Sequence, residues 1–565
     1  MKFILFLVLS VTIQTHAGFF ESFGSAPQVE TVQGVVEGRY ARSQTLQLES
    51  DVAEFLGIRF AQAPIGSLRW QPPQPLNKFT GVYKAHQKGS EPLQPNILTG
   101  GITGSEDCLF LNIWVPKTKR RSPLPVMFWI HGGAFVIGSG HQKVALVDLY
   151  DGKQLAKQGD VIVVSANYRL GPLGFFAHPE MSIDGKAPAA VNFGLMDQIA
   201  ALEWVKHNIS RFGGDPQKVT VFGESAGGTS ILSLIASPKA KNLFSRAIVQ
   251  SGPDYGMPMQ KALEQGNRIS EHLGTSEKPL TLKQLKNVPG EELIRELPML
   301  VKYGEKRFTF GPIVGDSLLP QPVLQTILKN QHNAVPLIIG TNAEEMRVLS
   351  PVFLRGFPDN LSDSAYSEFV RDFIGVPFDE AARNQYTKEK YGTNRKAMEA
   401  LVEDGLFHSY AGHVARAMAR SQNSVATYQY LFTQKAPLIG AGHALDLGYT
   451  FQNKALLLMT NNEWYNPFHS VQNFNKQMKL SSAMIKMWSN FSDTGNPNTR
   501  DGQALKIPWH QAHQGNILEL NTEGMKMRKA PEGKKLAYWS GLISRHIEST
   551  GGPVSCRRTL TRRSH

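Results

Sequence analysis

The chain has 565 residues, 41% hydrophobic and 19% charged, a balance that excludes a disordered or fibrous polypeptide. Its 60 Lys and Arg against 47 Asp and Glu give a formal charge of +13, yet no nucleic-acid-binding motif gathers the surplus, so no nucleic-acid partner is expected. The densest cluster, Arg557, Arg558, Arg562 and Arg563, lies in residues 546–565, which read as a basic, flexible tail.

In chain order, the first segment is MKFILFLVLSVTIQTHA, residues 1–17. Lys2 precedes an apolar run from Phe3 to Val11, and Thr15 and Ala17 stand where a processing site wants small residues. This predicts a cleaved secretory signal and a secreted protein, because a membrane anchor needs about 20 apolar residues and no run in the chain is that long. In an oxidising compartment only Cys108 and Cys556 could pair, and a core of this size does not depend on disulfides. Sequons at Asn208, Asn360 and Asn490 are candidate glycosylation sites.

Five near-continuous apolar runs follow: LPVMFWIHGG (124–133), DVIVVSANYR (160–169), KVTVFG (218–223), RAIVQSG (246–252) and VPLIIGTN (335–342). Runs of that kind suit strands buried on both faces. Between them GLMDQIAALEWVKHNI (194–209) has helical spacing, and the alternation predicts an α/β fold with a mostly parallel sheet. One catalytic domain over 18–545 is expected, with insertions near 258–330 and 350–425 forming a cap.

The stretch VTVFGESAGGTS (219–230) carries Ser225 between Gly223 and Gly227. The pattern alone is common in a chain with 51 glycines, but here a strand enters the turn and a small-residue helix leaves it. A serine in such a turn projects its hydroxyl outward, and glycines two residues to either side remove side chains that would strike neighbouring backbone. The N–H of Ala226 at the helix start suits a developing oxyanion. WIHGGAF (129–135) supplies two more candidate donors, Gly132 and Gly133, where the backbone can approach a substrate closely.

Together with FLGIRFAQAPIGSLRWQPPQP, SEDCLFLNIWVP, NYRLGPLGFF, GLMDQIAALEWVKHNISRFGGDP and WSNFSDTGNPN, these blocks resemble the type-B carboxylesterase and cholinesterase family of α/β-hydrolases, over about residues 30–545. The resemblance implies ester hydrolysis by a serine acyl-enzyme, a small-molecule ester as substrate, and no cofactor. It implies His443 in LIGAGHALDLGYTF as the base and Glu345 in GTNAEE as the acid, giving the order Ser225, Glu345, His443. On the residues alone Glu344 and Asp446 are alternative acids. Glu224 is expected to tune the site or hold a water, and Arg169, Asp197, Arg69 and Glu106 to form structural ion pairs. The histidines of HQAH (510–513), His408 and His413 lack a zinc constellation, and no metal is expected.

Four departures from the family pattern bear on the pocket. The stretch KGSEPLQPN lacks the cysteine that partners the position of Cys108 in many relatives, so the loop of about 92–107 is expected to be more mobile. Leu98 stands where cholinesterases place a tryptophan for quaternary ammonium, which implies uncharged esters instead. Met346 follows the acid and Ala444 the base where glycines are usual, and Met346, Leu98 and Glu224 are taken as pocket residues. A catalytically silent adhesion protein and a lipase of longer lipid esters are the competing readings.

Overall fold

The computed structural model describes residues 26–542 apart from 43–48, 98, 121, 145–146, 183–185, 187, 254, 298–308, 355–356, 375–383, 423–424, 461–466, 501–502, 505–507, 513–514, 530–537 and 540. The expected signal segment, the basic tail, Cys556 and Leu98 lie outside the described residues.

The frame is a sheet of eleven strands. They are β1 (Arg39–Arg42), β2 (Glu49–Arg59), β3 (Phe110–Pro116), β4 (Leu124–Ile130), β5 (Ile162–Ala166), β6 (Gly214–Glu224), β7 (Arg246–Gln250), β8 (Leu337–Asn342), β9 (Thr427–Phe432), β10 (Asn516–Leu520) and β11 (Lys526–Lys529). Their spatial order is β11-β10-β9-β8-β7-β6-β4-β5-β3-β2-β1. From β10 to β5 every neighbour is parallel, while β11 at one end and β3, β2 and β1 at the other are antiparallel.

Strand periodicity divides the interior. Along β4, Leu124, Val126, Phe128 and Ile130 face one apolar cluster, and Met127 and Trp129 face another on the opposite side of the sheet. Phe128 sits between Val164 of β5 and Val221 of β6. Helices α1 (Phe193–Asn208) and α2 (Ala226–Ala236) cover the first face, and the 28-residue α6 (Pro467–Thr494) covers the second with Met484, Trp488 and Phe491. Both faces of the central strands are therefore dry, which is why those strands read as unbroken apolar runs.

Further helices are inserted after β7 and β8. Those after β8 include α3 (Met346–Phe353), α4 (Asn394–Val402) and α5 (Ser409–Arg420), with a π-helical turn at Glu403–His408 joining α4 to α5. α3 and α4 build a third cluster around Met346, Leu361, Val370, Met398, Leu401 and Trp539, while α5 packs Tyr410, Val414 and Met418 into the first. No helix among the described residues is long and apolar enough to cross a membrane.

Two of the three sequons are corrected by the fold. Asn208 is fully buried; its Oδ1 accepts from the Val32 N–H (2.8 Å) and its Nδ2 donates to the Trp204 carbonyl (3.0 Å). Asn490 is buried on α6 with its Nδ2 on the Pro497 carbonyl (3.1 Å). A glycan must leave through the amide nitrogen, and neither nitrogen reaches the surface. Asn360 is exposed.

Candidate active site

β6 ends at Glu224 and α2 begins at Ala226, leaving Ser225 alone at the bend with φ 56° and ψ −123°. A non-glycine residue in that region costs about 1–3 kcal/mol and persists only where its surroundings enforce it. They do so here: the Ser225 N–H donates to the Gln250 carbonyl of β7 (2.9 Å), and the Ser225 carbonyl accepts from Thr229 (2.9 Å). A Cβ on Gly223 would stand 2.6 Å from the Ile130 carbonyl oxygen, and one on Gly227 would fall onto the same oxygen. The glycines thus let the end of β4 lie directly against the turn. Ser225 is partly exposed, while Glu224 and Ala226 beside it are buried.

The end of β4 delivers His131, Gly132 and Gly133. A Cβ on Gly132 would approach the Glu224 carbonyl oxygen to 2.8 Å and Ser225 Cβ to 3.1 Å. Gly133 (φ 109°), Ala134 (φ 54°) and Phe135 (φ 62°) form a left-handed run, closed by the Val136 and Ile137 N–H groups on the Gly133 carbonyl. Among the described residues the Gly132 and Gly133 N–H groups have no acceptor. The Ala226 N–H opens α2, where helix geometry leaves donors unpaired. His131 supports the loop. Its Nδ1 donates to the Gly132 carbonyl (2.9 Å), its ring stacks on Tyr168, and burial lowers its pKa to about 3, so it stays neutral.

Gln94, in the loop expected to be more mobile, fastens it to this turn. Gln94 Nε2 donates to the Gly138 carbonyl (3.0 Å) and the Gly138 N–H donates to Gln94 Oε1 (2.6 Å). Cys108 is buried with no disulfide partner among the described residues, and Arg69 holds Glu106 at 2.5 Å.

His443 is buried, and its Nδ1 donates to Glu345 Oε2 (2.7 Å). The other oxygen of Glu345 accepts from Ser251 Oγ (2.6 Å) and the Asn342 N–H (2.7 Å), so this fully buried carboxylate has partners on both atoms. His443 Nε2 lies 2.9 Å from Glu224 Oε1, a close ion pair without the alignment of a hydrogen bond. Burial alone would lower the imidazole pKa, but Glu224 and Glu345 outweigh it and hold it well above the ordinary histidine value. Ser225 Oγ makes no hydrogen bond to His443 in this arrangement.

The alternative acids point elsewhere. Glu344 is partly exposed, pairs with Lys435 (2.6 Å) and accepts from the Ala441 N–H. Asp446 accepts from Gln250 Nε2 (2.8 Å) and Tyr430 Oη (2.9 Å), and burial followed by the nearby Glu224 raises its pKa to about 6. Met346 is buried in the third cluster with its N–H on Glu403 Oε2 (3.0 Å). His408 hydrogen-bonds Thr341 (2.9 Å), and Arg169 pairs with Asp197 inside the core (2.7 Å).

Sequence reasoning passed over four contributors: Ser251, held at φ 49°; Asn342, which also donates to the Gly442 carbonyl (2.7 Å); Phe407, whose ring packs edge-on against His443 at 5.4 Å; and Gln94. Ser251 and Asn342 close two of the quoted apolar runs, where a polar residue at a strand's carboxyl end was the available signal.

The likeness to known proteins extends over nearly the whole chain. The model described as the carboxylesterase family matches residues 25–539. The chain is 34% identical to the para-nitrobenzyl esterase of Bacillus subtilis (strain 168), covering 86% of this chain and 94% of that protein. It is 31% identical to mouse (Mus musculus) carboxylesterase 1E (92% and 94% covered) and 32% identical to zebrafish (Danio rerio) acetylcholinesterase (91% and 89%). Among solved structures a thermophilic PNB esterase superposes with a TM-score of 0.76 at 31% identity, covering 91% of this chain and all of that one.

Proposed function

Since this chain belongs to the carboxylesterase family and is a carboxylic ester hydrolase of the α/β-hydrolase fold, we propose that it works through a covalent acyl-enzyme on Ser225. The observation that supports this most is the juxtaposition of a strained, partly exposed serine, unpaired glycine N–H groups beside it, and a buried histidine oriented by Glu345.

In this reading the His443 ring moves Nε2 from Glu224 to Ser225 Oγ when substrate enters. Oγ bonds to the ester carbonyl carbon as its proton passes to Nε2, and the displaced π electrons form an oxyanion facing Gly132, Gly133 and Ala226. Collapse of that intermediate breaks the carbon–oxygen bond, and the alcohol departs with the proton from Nε2. A water then gives a proton to Nε2 as its oxygen attacks the acyl carbon, and a second collapse releases the acid and returns the proton to Ser225. Glu345 keeps Nδ1 protonated and stabilises the imidazolium. Glu224 adds negative potential beside it.

The substrates are uncharged, partly apolar esters, because the position that a cholinesterase gives to tryptophan is Leu98. Residues 1–17 direct the chain to the secretory pathway, and the N-terminus of material recovered from culture medium should be residue 18. The deciding experiment is a series of p-nitrophenyl esters of increasing acyl length on wild type and Ser225→Ala, with an organophosphate label mapped by mass spectrometry. Ser225→Ala should lose about four orders of magnitude in kcat or more, and the label should sit on Ser225. Retained turnover in that variant, or acetylthiocholine hydrolysed as efficiently as short neutral esters, contradicts the reading.

A further inference from the structure

Glu345 occupies the residue just before α3, where a helix normally finds the side chain that caps its first N–H groups. Its own carboxylate cannot do this, because both oxygens are turned inward to His443, Ser251 and Asn342. The cap comes from a different element. Glu403, the first residue of the π-helical turn, places Oε2 3.0 Å from the Met346 N–H, the first donor of α3.

The same turn touches the site twice more. Phe407 packs its ring against His443, and His408 hydrogen-bonds Thr341, the neighbour of Asn342 on β8. His408 Nε2 also lies 3.8 Å from Glu403 Oε1, and its pKa is raised because Glu403 and nearby carboxylates outweigh burial. A π-bulge rotates the residues after it relative to an unbroken α-helix, and such bulges gather at functional sites.

We propose that Glu403 is a positioning residue for catalysis, fixing the Glu345 carboxylate by capping the helix that starts immediately after it. This rests on the Ser225 acyl-enzyme reading. Without the cap, the Met346 N–H would be a buried donor with no partner, and the first turn of α3 would shift to find one. Because Glu345 is joined to that turn by one peptide bond, the shift reaches the bond to His443 directly.

The test is a cycle of kcat and KM measurements on wild type, Glu403→Ala, Glu403→Gln, Glu345→Ala and the double variant Glu403→Ala/Glu345→Ala, with thermal melts to verify folding. Glu403→Ala should lower kcat about tenfold, with KM changed less than about twofold, as expected for a displaced catalytic group. Glu403→Gln keeps an acceptor for the Met346 N–H and should recover to within about threefold of wild type. In the Glu345→Ala background Glu403→Ala should cost nothing further, because the group it positions is gone. Equal losses in both backgrounds, no loss in kcat, or no recovery by Gln would overturn the proposal. Should Glu403→Ala not fold, Glu403→Asp, which keeps the charge but withdraws the acceptor by one methylene, replaces it under the same criteria. An active wild type and a dead Ser225→Ala would still stand if Glu403 proved indifferent, so the two readings fail separately.

Discussion

His443 is set between two carboxylates, one bonded to Nδ1 and the other touching Nε2, and the pair holds the imidazolium form well past the pH at which a free histidine gives up its proton. A general base must be neutral to accept the Ser225 proton, so kcat/KM should rise with pH along a limb whose midpoint lies above the ordinary histidine value. Removing one carboxylate as Glu224→Gln weakens the hold on the proton, and the limb should move to lower pH. Profiles that superimpose for the two enzymes would show that Glu224 does not act on His443. The choice between Glu344 and Glu345 belongs to the same scale. Adjacent residues at a helix start project in different directions, so Glu345 turns into the core and Glu344 out to Lys435, and no composition around GTNAEE tells them apart.

At the scale of elements, the elbow depends on how closely β4 and α2 approach. Gly227→Ala would drive a methyl group onto the Ile130 carbonyl, a backbone atom that a rotamer change cannot move aside. Overpacking of that kind costs about 1–3 kcal/mol, and activity should fall with stability because Ser225 and Gly132 move together. Gly448→Ala is the control: its added methyl meets only ordinary contacts at 3.5 Å in a helical turn, and it should shift the melting free energy by less than about 1 kcal/mol. Comparable melts for the two variants would refute the crowding argument.

The same elements show what the sequence discloses. Strands β4 to β8 were legible because dryness on both faces selects unbroken apolar runs. β2 was not, since Glu49, Asp51 and Glu54 interrupt ESDVAEFLGIR, and the buried Glu54 is paired with Arg39. β10 hides in the same way behind Glu519, which Arg528 of β11 neutralises. The π turn has no compositional mark, because a single inserted residue in a long helix alters registry without altering residue type.

Across the whole molecule the sheet separates two apolar interiors, and the inserted helices add a third. Cys108 reports on the integrity of the first. It is 1% exposed, and burial pushes its thiol pKa upward, so the reactive thiolate is scarce as well as screened. In a Cys556→Ser variant, Ellman's reagent should find no reactive thiol in the native protein and one after denaturation in urea. Fast labelling under native conditions would mean that the region around β3 opens locally.

The Gln94 clasp on Gly138 gives the turn that carries Gly132 and Gly133 a fastening made of two amide hydrogen bonds and no sulfur. Where a cystine would tie the competence of that turn to the redox poise of its surroundings, this clasp answers only to solvent access and temperature. The clasp itself is accordingly insensitive to reductants, and forming it requires no oxidant.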